Sequence, residues 1–126
     1  MGGFIAALRK YAKFSGRSRR REFWGFAVTF GFIHVLLSTL FVVGMQGSRE
    51  GYVPPFAIVV GFVWLLAGLA LYLPLLSVSW RRYQDIGWPG PLSLLGLPLP
   101  LLTLIVGAVP GNAGDNAYGP DPKAVV

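Results

Sequence analysis

Arg17, Arg19, Arg20 and Arg21 lead directly into Glu22, and a second basic pair, Arg81-Arg82, stands three residues before Asp85. A guanidinium presents a planar fork of N–H donors, so the chemistry open to these clusters is recognition of an anion such as a lipid headgroup or a phosphorylated ligand. The same residues fit a second role, as topology determinants joined by ion pairs, Glu22 with Arg81 or Arg82 and Asp85 with Arg19 or Arg20. Acid–base catalysis is disfavoured, because the neighbouring arginines keep both carboxylates ionised and weakly basic. His34 is the one histidine and cysteine is absent, so the serines lack a histidine base within reach and a zinc site would need three carboxylates gathered from distant segments. No catalytic residue, metal or cofactor is expected, and the chain reads as non-enzymatic. His34, with Ser38 one turn on, lies inside an apolar stretch; it is either a proton or ligand site or a neutral imidazole bonded across a bundle or to Ser38.

The elements that must position these residues follow from hydropathy. The chain has 126 residues, of which 54% are hydrophobic and 13% charged, too apolar for an ordinary soluble domain. Residues 23–48, 51–80 and 86–114 contain no Asp, Glu, Lys or Arg, and each is long enough to cross a bilayer as a helix. The expectation is an all-α integral membrane bundle forming a single domain. Residues 3–14 form an amphipathic interfacial helix, with Phe4, Ile5, Leu8, Tyr11 and Ala12 on one side and Arg9, Lys10 and Lys13 on the other. Ser18 is the expected N-cap of the next helix, with Glu22 in its first turn. The first span covers 23–45, with Ala27, Gly31, His34 and Ser38 facing other helices and Phe26, Phe30, Ile33, Leu37 and Leu40 facing lipid. The second covers 55–80, with Tyr52, Phe56, Trp80 and Tyr83 in aromatic belts. The third apolar run, 91–109, is broken by Pro98 and Pro100 and is either one interrupted span or a re-entrant hairpin. A polar tail occupies 110–126.

The net charge of +6 raises nucleic acid as a partner, but seven of the eleven basic residues precede the first apolar run, as a membrane topology requires. No nucleic-acid partner is expected. The stretch after Arg20-Arg21 is too long for the apolar region of a signal peptide, so it reads as an uncleaved span. The positive-inside rule puts the N-terminus in the cytoplasm of a multi-pass protein; the tail is external with three spans and cytoplasmic with a hairpin.

Three ordered motifs carry a resemblance. Phe14-Ser15-Gly16-Arg17-Ser18-Arg19-Arg20-Arg21-Glu22-Phe23-Trp24, then Arg81-Arg82-Tyr83-Gln84-Asp85-Ile86-Gly87, then Asn116-Ala117-Tyr118-Gly119-Pro120-Asp121-Pro122 resemble the domain-of-unknown-function family 805, the YhaH-like bacterial inner-membrane proteins. The resemblance implies the bacterial inner membrane and no particular activity. Where that family usually has Arg-Arg-Leu-His-Asp, this chain has Tyr83 and Gln84, so a role needing a titrating histidine there is not carried over. The tail motif Asn116, Tyr118, Gly119, Pro120, Asp121 and Pro122 is either a rigid docking element, with Asp121 reaching the basic cluster, or a capped end.

The functional expectation is a non-catalytic protein that binds anionic membrane lipid or a partner membrane protein through a cytoplasmic basic face made of Arg17, Arg19, Arg20, Arg21, Arg81 and Arg82. Three short segments enclose little volume, so a homo-oligomer or partner is expected for any pore. The alternative is a subunit of an oligomeric channel or transporter, with His34 and the proline-broken segment lining the path.

Overall fold

Long charge-free sequence becomes long helix. The computed structural model describes residues 2–123; the last three positions of the tail assigned to 110–126 lie outside the described residues. Helix α1 spans Gly2–Arg9, α2 spans Arg20–Met45, α3 spans Pro55–Asp85 and α4 spans Pro100–Ala108, with a 3-10 helix at Gly90–Gly96 before α4. No strand occurs among the described residues; the bridges Arg49 to Tyr52 and Asn116 to Gly119 are tight turns.

Helices α2 and α3, of 26 and 31 residues, are long and apolar enough to cross a membrane. At about 1.5 Å per residue both exceed the roughly 30 Å hydrocarbon core. Their apolar side chains face outward: Phe32 and Leu69 are each 68% exposed and Phe62 is 62% exposed. A soluble helix pair would leave that surface in water, whereas acyl chains cover it at no cost. The pair is fastened near one end by a small core of Ala7, Phe23, Phe26 and Val78 and along its length by Phe41 against Trp64, 5.8 Å between ring centres.

Several boundaries differ from the hydropathy reading, each for a local reason. Helix α1 stops at Arg9 rather than running to 14, because the carbonyls of Lys10 and Lys13 are drawn to the Ser77 hydroxyl at 3.0 and 2.7 Å. Its apolar side packs on α2 in place of lying wholly against lipid: Phe4 stacks on Phe26 at 5.1 Å and Ala7 is buried, while Ile5 faces out. Phe26, assigned to lipid, is therefore fully buried. Helix α2 begins at Arg20, three residues before the expected Phe23, and its N-cap is Arg19, without a side-chain cap. Ser18 stands one residue before the cap position, with its hydroxyl turned to the Arg19 carbonyl and its N–H donating to the Arg81 carbonyl at 3.2 Å. Pro54 and Pro55 start α3 with preset backbone angles, and Pro74 lies inside it without ending it. That helix continues five residues past Trp80, so Arg81, Arg82 and Asp85 ride on its last turn. Tyr83 consequently is fully buried and belongs to no aromatic belt.

The third apolar run is a hairpin in place of a continuous span. Its 3-10 and α-helical arms, of seven and nine residues, are each about 14 Å long, half a hydrocarbon core. Pro98 and Pro100 cannot donate backbone bonds, and the tip closes through Leu97 N–H to Leu94 (3.2 Å), Leu99 N–H to Leu95 (2.9 Å) and Leu102 N–H to Leu99 (3.1 Å). Both arms return to the end of the bundle that carries Asp85. The tail follows there, on the same side as α1.

Helix α1 sits close to α2 because Gly3 and Gly25 face each other: a Cβ at Gly25 would lie 3.0 Å from the Gly3 Cα and 3.1 Å from the Phe4 nitrogen. Gly25→Leu should push α1 away, an overpacking cost of about 1–3 kcal/mol. Tryptic cleavage after Lys10 and Lys13 should then accelerate about tenfold or more relative to the parent; an unchanged rate would show that this contact does not hold α1.

Candidate functional site

At the end where the helices, the hairpin and the tail meet, the two carboxylates and three of the arginines are buried together. Asp85, at the last residue of α3, is 2% exposed. One carboxylate oxygen accepts from Arg17 Nε at 2.9 Å, and the other accepts from Arg82 Nη1. The Asp85 carbonyl accepts the Asn112 N–H at 2.8 Å. Gly111 makes this approach possible, since a Cβ there would collide with the Asp85 carboxylate. Glu22, in the first turn of α2, accepts from Arg81 Nη1 at 2.6 Å, and Lys10 stands 3.6 Å from its other oxygen.

Three guanidinia against two carboxylates leave donors over, and backbone carbonyls take them. Arg17 also donates to the carbonyls of Gly114 (2.6 Å) and Asn112. Arg81 Nε donates to Lys13 at 2.9 Å. Arg82 reaches Ser18 (3.1 Å), Val106 (3.3 Å) and Val109. The last four carbonyls of α4 are all satisfied this way or nearly so: Ile105 by the Val109 N–H at 3.1 Å, Val106 by Arg82, Gly107 by the Trp24 indole at 3.0 Å and Ala108 by Arg20 at 3.2 Å. Helix C-termini leave four such groups, and cationic donors suit their partial negative charge. Among the described residues the buried Arg81 Nη2 has no partner.

The tail is built onto the same end. Asn116 donates to the Gln84 carbonyl at 2.9 Å and its side-chain oxygen accepts the Tyr118 N–H at 2.9 Å. Asn116 and Gly119 exchange two backbone bonds of 3.1 Å, closing a turn. Asp121 accepts N–H groups from Lys123 (2.9 Å) and Gly114 (3.0 Å). The Lys123 amide above all, with the Gly114 amide, holds the Asp121 carboxyl below the usual carboxylate range. Arg19 donates to the Pro122 carbonyl at 2.6 Å. Asp121 thus stands in the tail's own turns, with no direct bond to an arginine among those formed by the described residues.

Of the residues singled out in the sequence, Arg17, Arg81, Arg82, Glu22 and Asp85 come together, and Arg19 and the tail motif border them. The partner choice differs from expectation: Asp85 pairs with Arg17 and Arg82, not with Arg19 or Arg20. Arg20 points at the end of α4, and Arg21 is exposed. His34 lies apart, near the middle of α2. Its Nδ1 is 3.0 Å from the Phe30 carbonyl and its ring stacks on Phe30 at 4.0 Å. Ser38 donates to Val35 at 3.0 Å, so His34 and Ser38 do not pair; each bonds the preceding turn of its own helix. The sequence also gave no sign of Ser77 or of the carbonyl acceptors, which have no residue type to betray them. Gln84, oriented to satisfy both ends of its amide, donates to Gly16 at 2.7 Å and accepts the Trp80 indole N–H at 3.2 Å. Tyr83 shares a 3.2 Å bond with Thr103 across the hairpin. No group of three or more potential metal-ligating side chains forms among the described residues.

Residues 11–120 match the family described as protein of unknown function (DUF805), a stretch that includes every side chain of this buried cluster. The chain belongs to the DUF805 family. It is similar to inner membrane protein YhaH of Escherichia coli (strain K12), 29% identical over 126 residues covering 98% of both chains. It is similar also to inner membrane protein YhaI of the same strain, 28% identical over 128 residues covering 98% of this chain and 97% of the relative. No solved structure matches. DUF805 membership and the two outward-facing apolar helices together make this an inner-membrane protein.

Asp85→Asn should cost about 3–5 kcal/mol, because Arg17 and Arg82 would stay buried without their counter-charge. Thermal unfolding in detergent, with the exposed Glu50→Gln as control, reads this directly. Equal midpoints for the two variants would mean that the carbonyls alone hold the arginines.

Proposed function

We propose that this protein is a membrane-embedded binding module that gathers anionic phospholipid headgroups at the cytoplasmic face. The observation that carries the reading is the division of the basic residues. Arg17, Arg81 and Arg82 are spent on carboxylates and carbonyls inside the cluster, which takes them out of the anion-binding face expected from sequence. Arg9, Lys13, Arg19, Arg20 and Arg21 are exposed around it, where the apolar helices end. Glu22 and Asp85 are buried with their own partners inside the cluster. An exposed cation beside anionic lipid is worth roughly 1 kcal/mol. The buried cluster ties the segments that carry these cations to one end of the bundle, where they can meet a headgroup layer together.

The positive-inside rule supports a cytoplasmic location for this end, since the opposite turn holds one Arg49 and one Glu50 and is neutral. With the third apolar run folded back, α1 and the described part of the tail share that side, so on this reading the protein crosses the bilayer twice. Single cysteines at Ala113 or Ala117, both exposed in the tail, should resist an impermeant thiol reagent in intact cells and react after permeabilisation. Labelling of intact cells would overturn this orientation.

Replacing Arg19, Arg20 and Arg21 with Gln should lower the preference for phosphatidylglycerol over phosphatidylcholine, measured by lipid exchange into nanodiscs. Three cations at roughly 1 kcal/mol each correspond to about a hundredfold at low salt. The difference should shrink as salt rises, because the screening length falls to about 10 Å at 0.1 M. Arg49→Gln at the other end should leave the preference unchanged. A triple variant with the parent's preference at every salt concentration would refute the reading.

A further inference from the structure

Between α2, α3 and the hairpin, immediately on the membrane side of the buried cluster, lies a cavity of about 320 Å3. Phe23, Phe30, Leu76, Leu97 and Leu104 make it almost wholly apolar. Four hydroxyl residues lie in its wall, Tyr72, Ser79, Ser93 and Thr103. The Ser93 hydroxyl is buried and has no hydrogen-bond partner among the described residues. A buried hydroxyl left unpaired costs more than the whole of an ordinary hydrogen bond contributes, and such orphans call for an explanation. The Thr103 hydroxyl, in the same wall, is already bonded to Tyr83 at 3.2 Å.

We infer that the cavity seats one acyl chain of a membrane phospholipid, with the Ser93 hydroxyl donating to that lipid's ester carbonyl. The size is that of an ordinary small-molecule pocket, and its lining offers an acyl chain what it seeks, apolar contact with one polar anchor near the interface. The surroundings supply the ligand, because the outer hairpin residues Leu97 and Leu101 are 63% and 67% exposed and would face acyl chains. Charge complementarity names the rest of the molecule. Arg20 precedes Phe23 by one helical turn on the same face of α2, and it is bonded to Ala108 at the end of the arm that carries Leu104. A lipid whose chain enters beside Phe23 thus brings its phosphate to an exposed arginine. The inference rests on the lipid-binding reading above and deepens it from a surface preference to a seat for a single molecule.

The test uses the full chain in nanodiscs containing phosphatidylglycerol or phosphatidylcholine with a photoactivatable diazirine on one acyl chain, followed by peptide mapping. Adducts should concentrate on residues 23–30 and 93–104. Ala27→Phe, which fills the cavity, should reduce them at least fivefold. Ser93→Ala should reduce them two- to threefold while raising or preserving the thermal midpoint in lipid-free detergent. The last variant removes an unpaired buried hydroxyl, so loss of adducts there cannot be ascribed to unfolding. Adducts confined to outward residues such as Phe32 and Leu69, or a full yield in Ala27→Phe, would overturn the proposal. So would crosslinks showing a second chain's hairpin tip in the cavity. Cavity adducts of equal yield from both lipids would uphold the acyl seat and count against the cationic-rim reading, and Arg20→Gln separates the two by altering the lipid preference without abolishing the adducts.

Discussion

One carboxylate, Asp85, organises the end of the molecule that carries most of its charge. It sits between Arg17 and Arg82, and through them it ties the segment before α2, the last turn of α3, the returning arm of the hairpin and the start of the tail. Taking two guanidinia and a carboxylate out of water costs several kcal/mol per ion, which attraction alone seldom returns. The balance depends on the remaining donors finding acceptors. Here those acceptors are backbone carbonyls, Val106 and Val109 at the end of α4, Ser18 before α2, and Asn112 and Gly114 at the start of the tail. Each side of the arrangement solves the other's problem, because the arginines need oxygens and the interrupted helices need donors.

This exchange explains why the third apolar run can be a hairpin. A proline-broken segment of short helical arms exposes backbone groups that hydrocarbon cannot satisfy. The tip closes by its own turn bonds, and the returning end is capped by Trp24, Arg20 and Arg82. The tail then folds across the arginines, where Asn112 and Gly114 offer carbonyls to Arg17. The hairpin and the position of the tail are thus consequences of one cluster of charges.

Hydropathy made the two long helices legible, since outward-facing apolar residues need no partner beyond lipid and their pattern is local. The gathering of Arg17, Glu22, Arg81, Arg82 and Asp85 at one end was legible from charge placement along the chain. Their pairing was not. Asp85 could be joined on paper to Arg19 or Arg20, yet the extra five residues of α3 turn it toward Arg17, and helix ends are set by capping interactions that a hydropathy profile does not contain. The burial of Phe26 and the early end of α1 were hidden for a related reason, because they arise from contacts between segments, the Gly3 and Gly25 approach and the pull of Ser77 on two carbonyls. His34 stands out in the sequence because ionisable groups are rare in membranes; in the fold its Nδ1 meets the Phe30 carbonyl one turn back.

Gln84 shows how far the chemistry of this end is removed from proton transfer. It stands where the resemblance to its family leads one to look for an imidazole, beside a buried aspartate and two arginines. An amide has a fixed donor and a fixed acceptor, and Gln84 uses both, donating to the Gly16 carbonyl and accepting from the Trp80 indole. A neutral imidazole could supply the same donor and acceptor, but it would also gain a charge near physiological pH, next to guanidinia that would oppose it. The amide keeps the geometry without that switch. Asp85 beside it is engaged on both oxygens, by Arg17 and by Arg82. Any response of the protein to its surroundings then falls to what remains outside the cluster, the exposed arginines and the apolar cavity above them.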